Sequence, residues 1–464
     1  MSRPSSVITA DYLVIGAGAM GMAFTDVIIA ETDATVALVD RHAKPGGHWN
    51  DAYPFVRLHQ PSAFYGVNSL RLGSDRKDSR GGNEGLYELA SGTEVLAYYD
   101  HVMNDQFLPS GRVQYFPMCD EVGSEIVSRV SGQRFEVTAT TRIVDATYMN
   151  VTVPSMRAPV YDVAPGVRCH PLNDLPEVAR PEDGYVVVGA GKTGADACLW
   201  LLGNGVDPDD ISWIMPRDSW YLDRAQIQPG DFFENTARCF VEQFRHIALS
   251  TSIDDLFDRL EAAGLLLRLD TDVRPTMYRC STVTTAELHQ LRRIDEVIRL
   301  GRVRRIDDEQ IVLDDGAIPT TLDTVHVDCT ADGLERRPAR PVFEEGRLTL
   351  QTVRHCQQVF SAAFIAHVEA AYEGDIAKND LCSVVPHPDR DTDWLRTCHG
   401  NAMNAARWGA DPALQGWLAE ARLDGFSRSA PPSNELIAVV MEFAMPAMAK
   451  LEQYVAVLDA GGDS

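Results

Sequence analysis

The sequence carries one glycine pattern twice, each time between an apolar run that predicts a β-strand and a run with helical periodicity. The pattern consists of Gly16, Gly18 and Gly21 in its first copy and of Gly189, Gly191 and Gly194 in its second. In such a turn the first glycine permits a tight bend, the second lets the backbone approach a pyrophosphate, and the third lets helix and strand pack closely. The N–H groups at the start of the helix then face the phosphates. Each copy therefore predicts a dinucleotide-binding unit of the Rossmann type.

The predicted strand that follows each turn ends in a charged residue, and the two charges are opposite. The run ATVALVD ends at Asp40, whose carboxylate is expected to accept hydrogen bonds from a ribose diol. The run DISWIMPR ends at Arg217, which suits the 2′-phosphate of NADP better than the bare ribose of NAD, with a solvated strand end as the alternative. Further candidate cofactor-binding residues lie in or beside the two units: Ala19, Arg41, Lys192 and Thr193.

Two similar runs frame the second unit, RIVDATYMN ahead of it and VHVDCTADG behind it. Such a repeat is expected where a chain leaves one dinucleotide domain, forms another, and returns. We therefore predict an α/β fold with two Rossmann-like domains, the second inserted in the first. The predicted boundaries are 1–150 and 329–388 for the first domain, 151–328 for the second, with a helical insert at about 230–295, and 389–464 for a helical C-terminal region.

Length, charge and cysteine usage narrow the classes of function. At 464 residues the chain has room for two or three domains, and its net charge of −25 repels phosphate backbones, so nucleic acid is not an expected partner. No apolar run is long enough for a membrane span, and the polar N-terminus lacks the apolar core of a secretory signal, so we expect a cytoplasmic protein without a membrane partner. The nine cysteines show no CxxC pattern and no close Cys/His cluster, so neither a redox disulfide nor a metal site is expected.

The run GGHWNDAYPFVRLHQP, at residues 46–61, combines a glycine pair, aromatic residues and two prolines without helical or strand periodicity. Two nucleotide sites in one chain imply a pair that exchanges hydride, and NADPH with a flavin is such a pair. We therefore expect Gly47 and His48 beside the flavin nucleotide and Trp49 as a flat wall near it. The alternative is that Trp49 and Tyr53 are ordinary core aromatics.

The order of these motifs resembles that of the class B flavoprotein monooxygenases, which include the flavin-containing and the Baeyer–Villiger monooxygenases. The resemblance extends over roughly residues 8–385 and rests on the paired glycine turns, GGHW and YPFVRLHQP. It implies that the first domain binds FAD and the second NADPH, and that Arg57 and Gln60 lie at the cofactors. It also implies that molecular oxygen is used, through a flavin C4a-(hydro)peroxide, to oxygenate a small organic substrate.

The sequence departs from the pattern of that family at several positions. His59 stands where the family usually has an asparagine, and the fingerprint before the second unit survives only as Gly166 and His170. The second of the two similar runs has Thr330, Ala331, Asp332 and Gly333 where the family has Ala-Thr-Gly-Tyr. His59 and Gln60 are the candidate catalytic residues. His59 would act as an acid or base with a pKa near the working pH, or else as a neutral hydrogen-bonding group.

Two other functions stay open at this point. The first is an FAD-dependent NAD(P)H reductase, dehydrogenase or oxidase in which no oxygen enters the product. The second is a regulatory protein that holds its nucleotides without catalysis. The disulfide-reductase branch of this fold is disfavoured, because no cysteine occurs before Cys119. The C-terminal helices are expected to cover a substrate pocket or to form a homodimer interface, with plain core packing as the alternative.

Overall fold

The computed structural model describes residues 6–123, 125–138, 140–331, 333–425 and 433–460. Asp332, named above as a departure from the family pattern, lies outside these residues.

Strands and helices alternate along most of the chain. The first part forms β1 (Ser6–Ile8), β2 (Tyr12–Ile15), α1 (Ala19–Glu31), β3 (Val36–Asp40), α2 (Gly92–His101), β4 (Val113–Pro117), β5 (Cys119–Val122), β6 (Glu125–Ser128), β7 (Arg134–Val137) and β8 (Arg142–Asp145). The middle part forms β9 (Asp162–Val163), β10 (Arg168–Pro171), β11 (Tyr185–Val188), α3 (Lys192–Gly203), β12 (Ile211–Ile214), β13 (Ser219–Asp223), α4 (Phe233–Leu249), α5 (Ile253–Ala262), β14 (Met277–Val283), α6 (Thr285–Leu291), β15 (Val297–Ile298), β16 (Val303–Ile306), β17 (Gln310–Leu313), β18 (Gly316–Pro319) and β19 (Val325–Asp328). The last part forms β20 (Phe343–Glu344), β21 (Arg347–Thr349), α7 (Gln358–Ala371), α8 (Asp375–Leu381), α9 (Asp393–Gly409), α10 (Pro412–Glu420) and α11 (Asn434–Ala460).

The first glycine turn lies in a sheet with the strand order β20-β21-β8-β2-β3-β4. From β21 to β4 every neighbouring pair is parallel, and β20 is antiparallel to β21. All five residues of β3 are buried, as an uninterrupted apolar run in a parallel sheet requires. Helices α1 and α7 pack together and share one hydrophobic core with the inward side chains of this sheet.

The second glycine turn lies in a separate sheet of five strands in the order β10-β19-β11-β12-β15, all parallel. Every strand of this sheet falls between β8 and β21, which are direct neighbours in the first sheet. The chain therefore leaves the first sheet after β8, forms the second sheet, and returns to pair beside the strand that it left. The architecture is a mixed α/β fold with several sheets.

The predicted insert at 230–295 is only partly helical. It contains α4, α5 and α6, but β14 runs through it and pairs in parallel with β13. The run MYRCSTV is rich in aromatic and β-branched residues, and nearly all of it is buried, which favours a strand over a helix. This strand is important below, because it carries residues that contact the loop at 46–61.

The C-terminal region is helical, as the sequence predicts. Helix α11 packs against α4 and α9, and its residues Ala447 and Leu451 join the same hydrophobic cluster as Trp394 and Phe257. One face of α11 is thus buried in a hydrophobic core. None of the helices in the described part of the chain is long and apolar enough to cross a membrane.

Candidate cofactor-binding site

Each glycine turn places the start of a helix directly behind a parallel strand. A Cβ on Gly21 would lie 1.8 Å from the carbonyl oxygen of Gly16, and one on Gly194 would lie 2.1 Å from that of Gly189. Only glycine allows helix and turn to approach so closely. Helix α1 begins after Gly18 and α3 after Gly191, with no side-chain cap and no acidic residue in the first turn of either helix. The first N–H groups of both helices are therefore left for an anion.

The glycine pair at 46–47 allows the aromatic loop to pack on the first turn. The N–H of Gly46 donates to the carbonyl of Ala17 at 2.8 Å. Gly47 has a φ of +57°, and a Cβ there would lie 2.9 Å from the Cα of Gly18. The pair therefore brings two stretches of main chain into contact at the place where the sequence predicts a nucleotide.

Asp40 lies at the end of β3, faces the turn and is 6% exposed. Its Oδ2 accepts a hydrogen bond of 2.6 Å from the N–H of Ala17. Its Oδ1 accepts from the N–H of His42 at 2.7 Å and lies 2.8 Å from Nδ1 of that ring, whose Nε2 lies 2.8 Å from Asp51. The bond with Asp40 raises the pKa of His42. Asp40 is thus in the predicted place, and it also ties the turn to the loop. Arg41, next to it, is exposed.

The aromatic loop reaches both hydrophobic cores. Trp49 is 8% exposed, packs in the core of the first sheet and donates from Nε1 to the hydroxyl of Tyr65 at 2.8 Å. Tyr53 is 6% exposed and packs in the core of the second sheet. Trp49 thus has a core role, and its contact with a flavin stays a prediction. His48 lies against the Trp49 ring, and burial lowers the pKa of His48 to about 4.

The first turn of α3 is linked to that loop. Lys192 forms an ion pair with Asp196 one helical turn later, and the same carboxylate accepts a hydrogen bond of 2.6 Å from Tyr53. Thr193, beside Lys192, is partly buried. A Cβ on Gly191 would meet no atom within 4 Å, so the space over this turn is open.

Arg217 lies beyond the end of β12 and faces a carboxylate. Its guanidinium makes two hydrogen bonds to Asp389, at 3.2 and 3.0 Å, and Arg279 donates to the same carboxylate at 2.9 Å. Arg336 lies 3.7 Å from it. Burial acts to raise the pKa of Asp389, but Arg217 and Arg279 hold it at about 2. Three guanidinium groups thus lie around one carboxylate, and guanidinium groups are the side chains that bind phosphate best.

His59 is partly buried against β14. Its Nδ1 lies 3.1 Å from the Thr282 hydroxyl, which donates to the His59 carbonyl. Burial, together with the charges of Lys192 and Arg224, lowers the pKa of His59 to about 3. The expectation of a pKa near the working pH was wrong, because a strand that the sequence did not predict encloses the ring. His59 is therefore a neutral hydrogen-bonding group at neutral pH.

The two residues beside His59 differ in exposure. Gln60 is partly buried, whereas Arg57 is exposed and donates to the carbonyl of Leu89 at 3.1 Å. Arg57 thus anchors the loop to a neighbouring segment in this structure.

Sequence reasoning missed the buried ion pair that holds His59 in place. Arg224 is 1% exposed, donates to the His59 carbonyl at 3.0 Å and binds Glu287 through two hydrogen bonds of 3.0 and 2.9 Å. Burial acts to raise the pKa of Glu287, but Arg224 holds it below its usual value. Glu287 also completes a capping box with Thr284 at the start of α6. The T-x-x-E spacing could have predicted that cap, but nothing in the sequence singles out Arg224.

The structure contains a disulfide that the sequence does not indicate. Cys280 on β14 and Cys356 just before α7 form a disulfide, and His387 lies beside them. The cysteines are 76 residues apart in the sequence, so no short spacing pattern could reveal the pair.

No family model matches the chain. It is 56% identical over 437 residues to uncharacterized proteins of Mycobacterium tuberculosis (Rv2000) and Mycobacterium bovis (Mb2023), covering 92% of this chain and 80% of each relative. The chain belongs to the family of these mycobacterial proteins. Among solved structures, cyclohexanone monooxygenase from Rhodococcus sp. Phi1 bound to NADP+ aligns with a TM-score of 0.50 at 13% identity, over 79% of this chain and 84% of that one. The fold is therefore the one found in Baeyer–Villiger monooxygenases, as the resemblance to class B flavoprotein monooxygenases predicts.

Proposed function

We propose that this protein is an FAD-dependent, NADPH-using monooxygenase that oxygenates a small organic substrate. In this proposal residues 1–150 and 329–388 form an FAD domain and residues 151–328 an inserted NADPH domain of the Rossmann type. Residues 389–464 form a helical region against them. The fold likeness supports the class of enzyme, and the two glycine turns support the two nucleotides.

One observation carries the proposal. Both glycine turns lead from a buried parallel strand into a helix whose first turn has neither a side-chain cap nor an acidic residue. Helices α2, α5 and α6 begin instead at Ser91, Ser252 and Thr284, whose side chains accept from the helix backbone. Helix α7 also begins without a cap or an acidic residue, but no glycine turn precedes it. The starts of α1 and α3 are therefore suited to hold pyrophosphates. When bound, NADPH and FAD would supply hydride transfer to the flavin and the reaction of the reduced flavin with oxygen.

Residues of this chain would hold each nucleotide. Gly16, Gly18 and Ala19 would contact the FAD pyrophosphate, and Asp40, whose oxygens retain lone pairs, would accept from the ribose. Lys192 and Thr193 would lie at the NADPH pyrophosphate. Arg217 and Arg279 would bind the 2′-phosphate, with Asp389 fixing both guanidinium groups before the ligand arrives.

His59 and Gln60 would act by hydrogen bonding at the reaction centre. Because His59 is neutral, one ring nitrogen donates and the other accepts, so its ring can orient a substrate through hydrogen bonds. Arg224 and Glu287 fix the backbone of His59 and act as positioning residues.

The test is anaerobic mixing of the FAD-loaded protein with NADPH or NADH, followed by ¹⁸O₂ and a panel of ketones, sulfides and amines. We expect NADPH to bleach the flavin faster than NADH does. We also expect labelled oxygen to appear in one class of product. Bleaching with peroxide release and no label across the panel would favour the FAD-dependent NAD(P)H oxidase or dehydrogenase instead. A protein that binds FAD but is not bleached by either nucleotide would overturn both enzymatic proposals.

The proposed setting is the cytoplasm, with a small-molecule substrate and molecular oxygen as partners. The homodimer that the C-terminal helices suggest stays a prediction.

A further inference from the structure

Four sulfur and nitrogen side chains from three segments meet where β14 lies against the proposed FAD domain. Cys280 comes from β14, His355 and Cys356 from the approach to α7, and His387 from the connection between α8 and α9. We call this set the Cys/His cluster. Ligand atoms of Cys280, Cys356 and His387 all lie within 4.8 Å of one another. His355 faces the same point, with Nε2 at 2.7 Å from Sγ of Cys280 and 3.4 Å from Sγ of Cys356.

These donor types and distances suit a soft divalent metal. Zinc in structural sites takes four Cys and His ligands in a tetrahedron, at about 2.3 Å for sulfur and about 2.0–2.1 Å for nitrogen. Neighbouring ligand atoms then lie roughly 3.3–3.8 Å apart. In the reduced form the two sulfur atoms would have to separate to that spacing, and the rings of His355 and His387 would have to turn toward them. Cys280 is 1% exposed, so an ion there would be closed off from solvent, as structural zinc sites are.

The backbone at both cysteines is held in an unusual conformation. Cys280 has a φ of +54° and Cys356 a φ of +55°, a region that residues other than glycine seldom adopt. At Cys280 the strand pairing with β13 shifts register, and such bulges redirect side chains next to functional sites. Two contacts hold His355 in place. Its backbone N–H donates to Oδ1 of Asn401 at 3.0 Å, and Nε2 of its ring lies 3.4 Å from the Tyr278 hydroxyl. The surrounding structure therefore holds the two cysteine side chains so that their sulfur atoms lie together in the Cys/His cluster.

We propose that Cys280, Cys356, His387 and His355 bind one Zn²⁺ when the Cys280–Cys356 disulfide is reduced. A dithiol reductant would give two electrons and two protons to the disulfide and become a disulfide itself, which leaves two protein thiols. Zn²⁺ would then replace the two thiol protons, which pass to water. The site is closed to metal in the disulfide form and open to it in the dithiol form. This inference is independent of the proposed oxygenation reaction.

Metal binding would also join parts of the fold that the disulfide alone does not join. The disulfide connects β14 with the chain before α7. Zinc would add His387, and with it the connection between α8 and α9, to the same point. The dithiol form with zinc would thus hold three segments where the disulfide holds two.

The first experiment uses the tag-free full chain, reduced and freed of reductant under nitrogen. CoCl₂ is titrated as an optical probe, and ZnCl₂ then displaces it. We expect one Co²⁺ per chain, a thiolate-to-cobalt charge-transfer band and tetrahedral d–d bands, all removed by one equivalent of Zn²⁺. The disulfide form should show none of these bands. Absence of the bands from the reduced protein, or their presence in the disulfide form, would overturn the proposal.

Variants identify the ligands. Cys280→Ser, Cys356→Ser and His387→Gln should abolish the charge-transfer band or the tetrahedral spectrum, and His355→Gln should weaken binding. Cys119→Ser, which removes a buried cysteine on β5, is the matched control and should bind as the original chain does. An unchanged titration in Cys280→Ser would contradict the assignment.

A second measurement needs no variant and covers the case in which one fails to fold. The native reduced chain is alkylated with and without ZnCl₂, and the modified cysteines are identified by mass spectrometry. Zinc should protect Cys280 and Cys356 and leave the modification of the other seven cysteines unchanged. If zinc protects neither of the two, the proposal is wrong.

Discussion

The hydroxyl of Tyr53 donates a hydrogen bond of 2.6 Å to Asp196, and this bond joins the aromatic loop to the helix behind the second glycine turn. The same loop touches the first turn through Gly46 and Gly47. One stretch of chain therefore contacts both proposed nucleotide sites. Burial, followed by the charge of Asp196, raises the pKa of Tyr53 well above its usual value, so the phenol stays protonated and remains a donor.

Replacing Tyr53 by Phe should destabilise the protein and weaken NADPH binding. A hydrogen bond to a charged group contributes about 1.5–3 kcal/mol, and the partly buried carboxylate would keep its ion pair with Lys192. We expect the free energy of unfolding in urea to fall by about that amount and the KM for NADPH to rise. Tyr185→Phe, on β11 of the same sheet, is the control and should change the free energy of unfolding by less than about 0.5 kcal/mol. Equal stability of the two variants would contradict the linking role of Tyr53.

Gly194→Ala and Gly203→Ala make the same change in one helix, and we expect opposite results. The new Cβ of Gly194→Ala would lie 2.1 Å from the carbonyl oxygen of Gly189, whereas the new Cβ of Gly203→Ala would have no atom within 4 Å. Overpacking costs about 1–3 kcal/mol and here also displaces the turn, so Gly194→Ala should lose NADPH binding while retaining FAD. Gly203→Ala should be as stable as the original chain or more stable by up to about 1 kcal/mol. Thermal unfolding and equilibrium dialysis with each nucleotide provide the readout, and retention of NADPH by Gly194→Ala would argue against this turn as its site.

Arg217→Ala should reduce the preference for NADPH over NADH. Loss of one charge-assisted contact to the 2′-phosphate costs about 1.5–3 kcal/mol, which corresponds to a rise of roughly tenfold or more in the KM for NADPH. The KM for NADH should stay nearly constant, because NADH has no phosphate at that position. Arg304→Ala, which removes an exposed arginine paired with Asp314, serves as the control. If both nucleotides lose affinity equally, Arg217 has a structural role through Asp389 alone.

His59 should make the protein sensitive to acid. The folded chain has a His59 pKa of about 3, whereas an unfolded histidine titrates at about 6.5. Between these values the unfolded chain binds a proton that the folded chain does not, so the free energy of unfolding falls as the pH falls below about 6.5. His59→Gln should flatten part of that decline when melting temperature is followed from pH 7.5 to pH 4.5. His289→Gln, at an exposed ring on α6, is the matched control. A His59→Gln profile parallel to that of the original chain would show that His59 titrates normally.

The sequence predicts the parts of this molecule whose physics is local. Gly21 and Gly194 are required because each contacts a residue five positions earlier in the sequence. A buried parallel strand such as β3 is recognised in the sequence as an unbroken apolar run. The strand–turn–helix units and the C-terminal helices are of this kind. The sequence pattern of these elements is present in their own residues and does not depend on which segments pack against them.

The features that sequence reasoning missed depend on packing between distant segments. The depressed pKa of His59 arises where β14 and Arg224 enclose it, and neither was predicted to be there. Cys280 and Cys356 come together only when β14 lies beside the start of α7.

The long segment between β8 and β21 also determines when the first sheet can be completed during synthesis. Arg347 on β21 reaches Asp145 on β8 across 202 residues of sequence. A ribosome must therefore complete β9 through β19 while one edge of β8 has no partner strand from this sheet. The strands β10, β11, β12, β15 and β19 find all their partners within that interval and can assemble first. An unpaired edge is a point of association with other chains, so the nascent protein is most exposed to aggregation just before β21 leaves the ribosome.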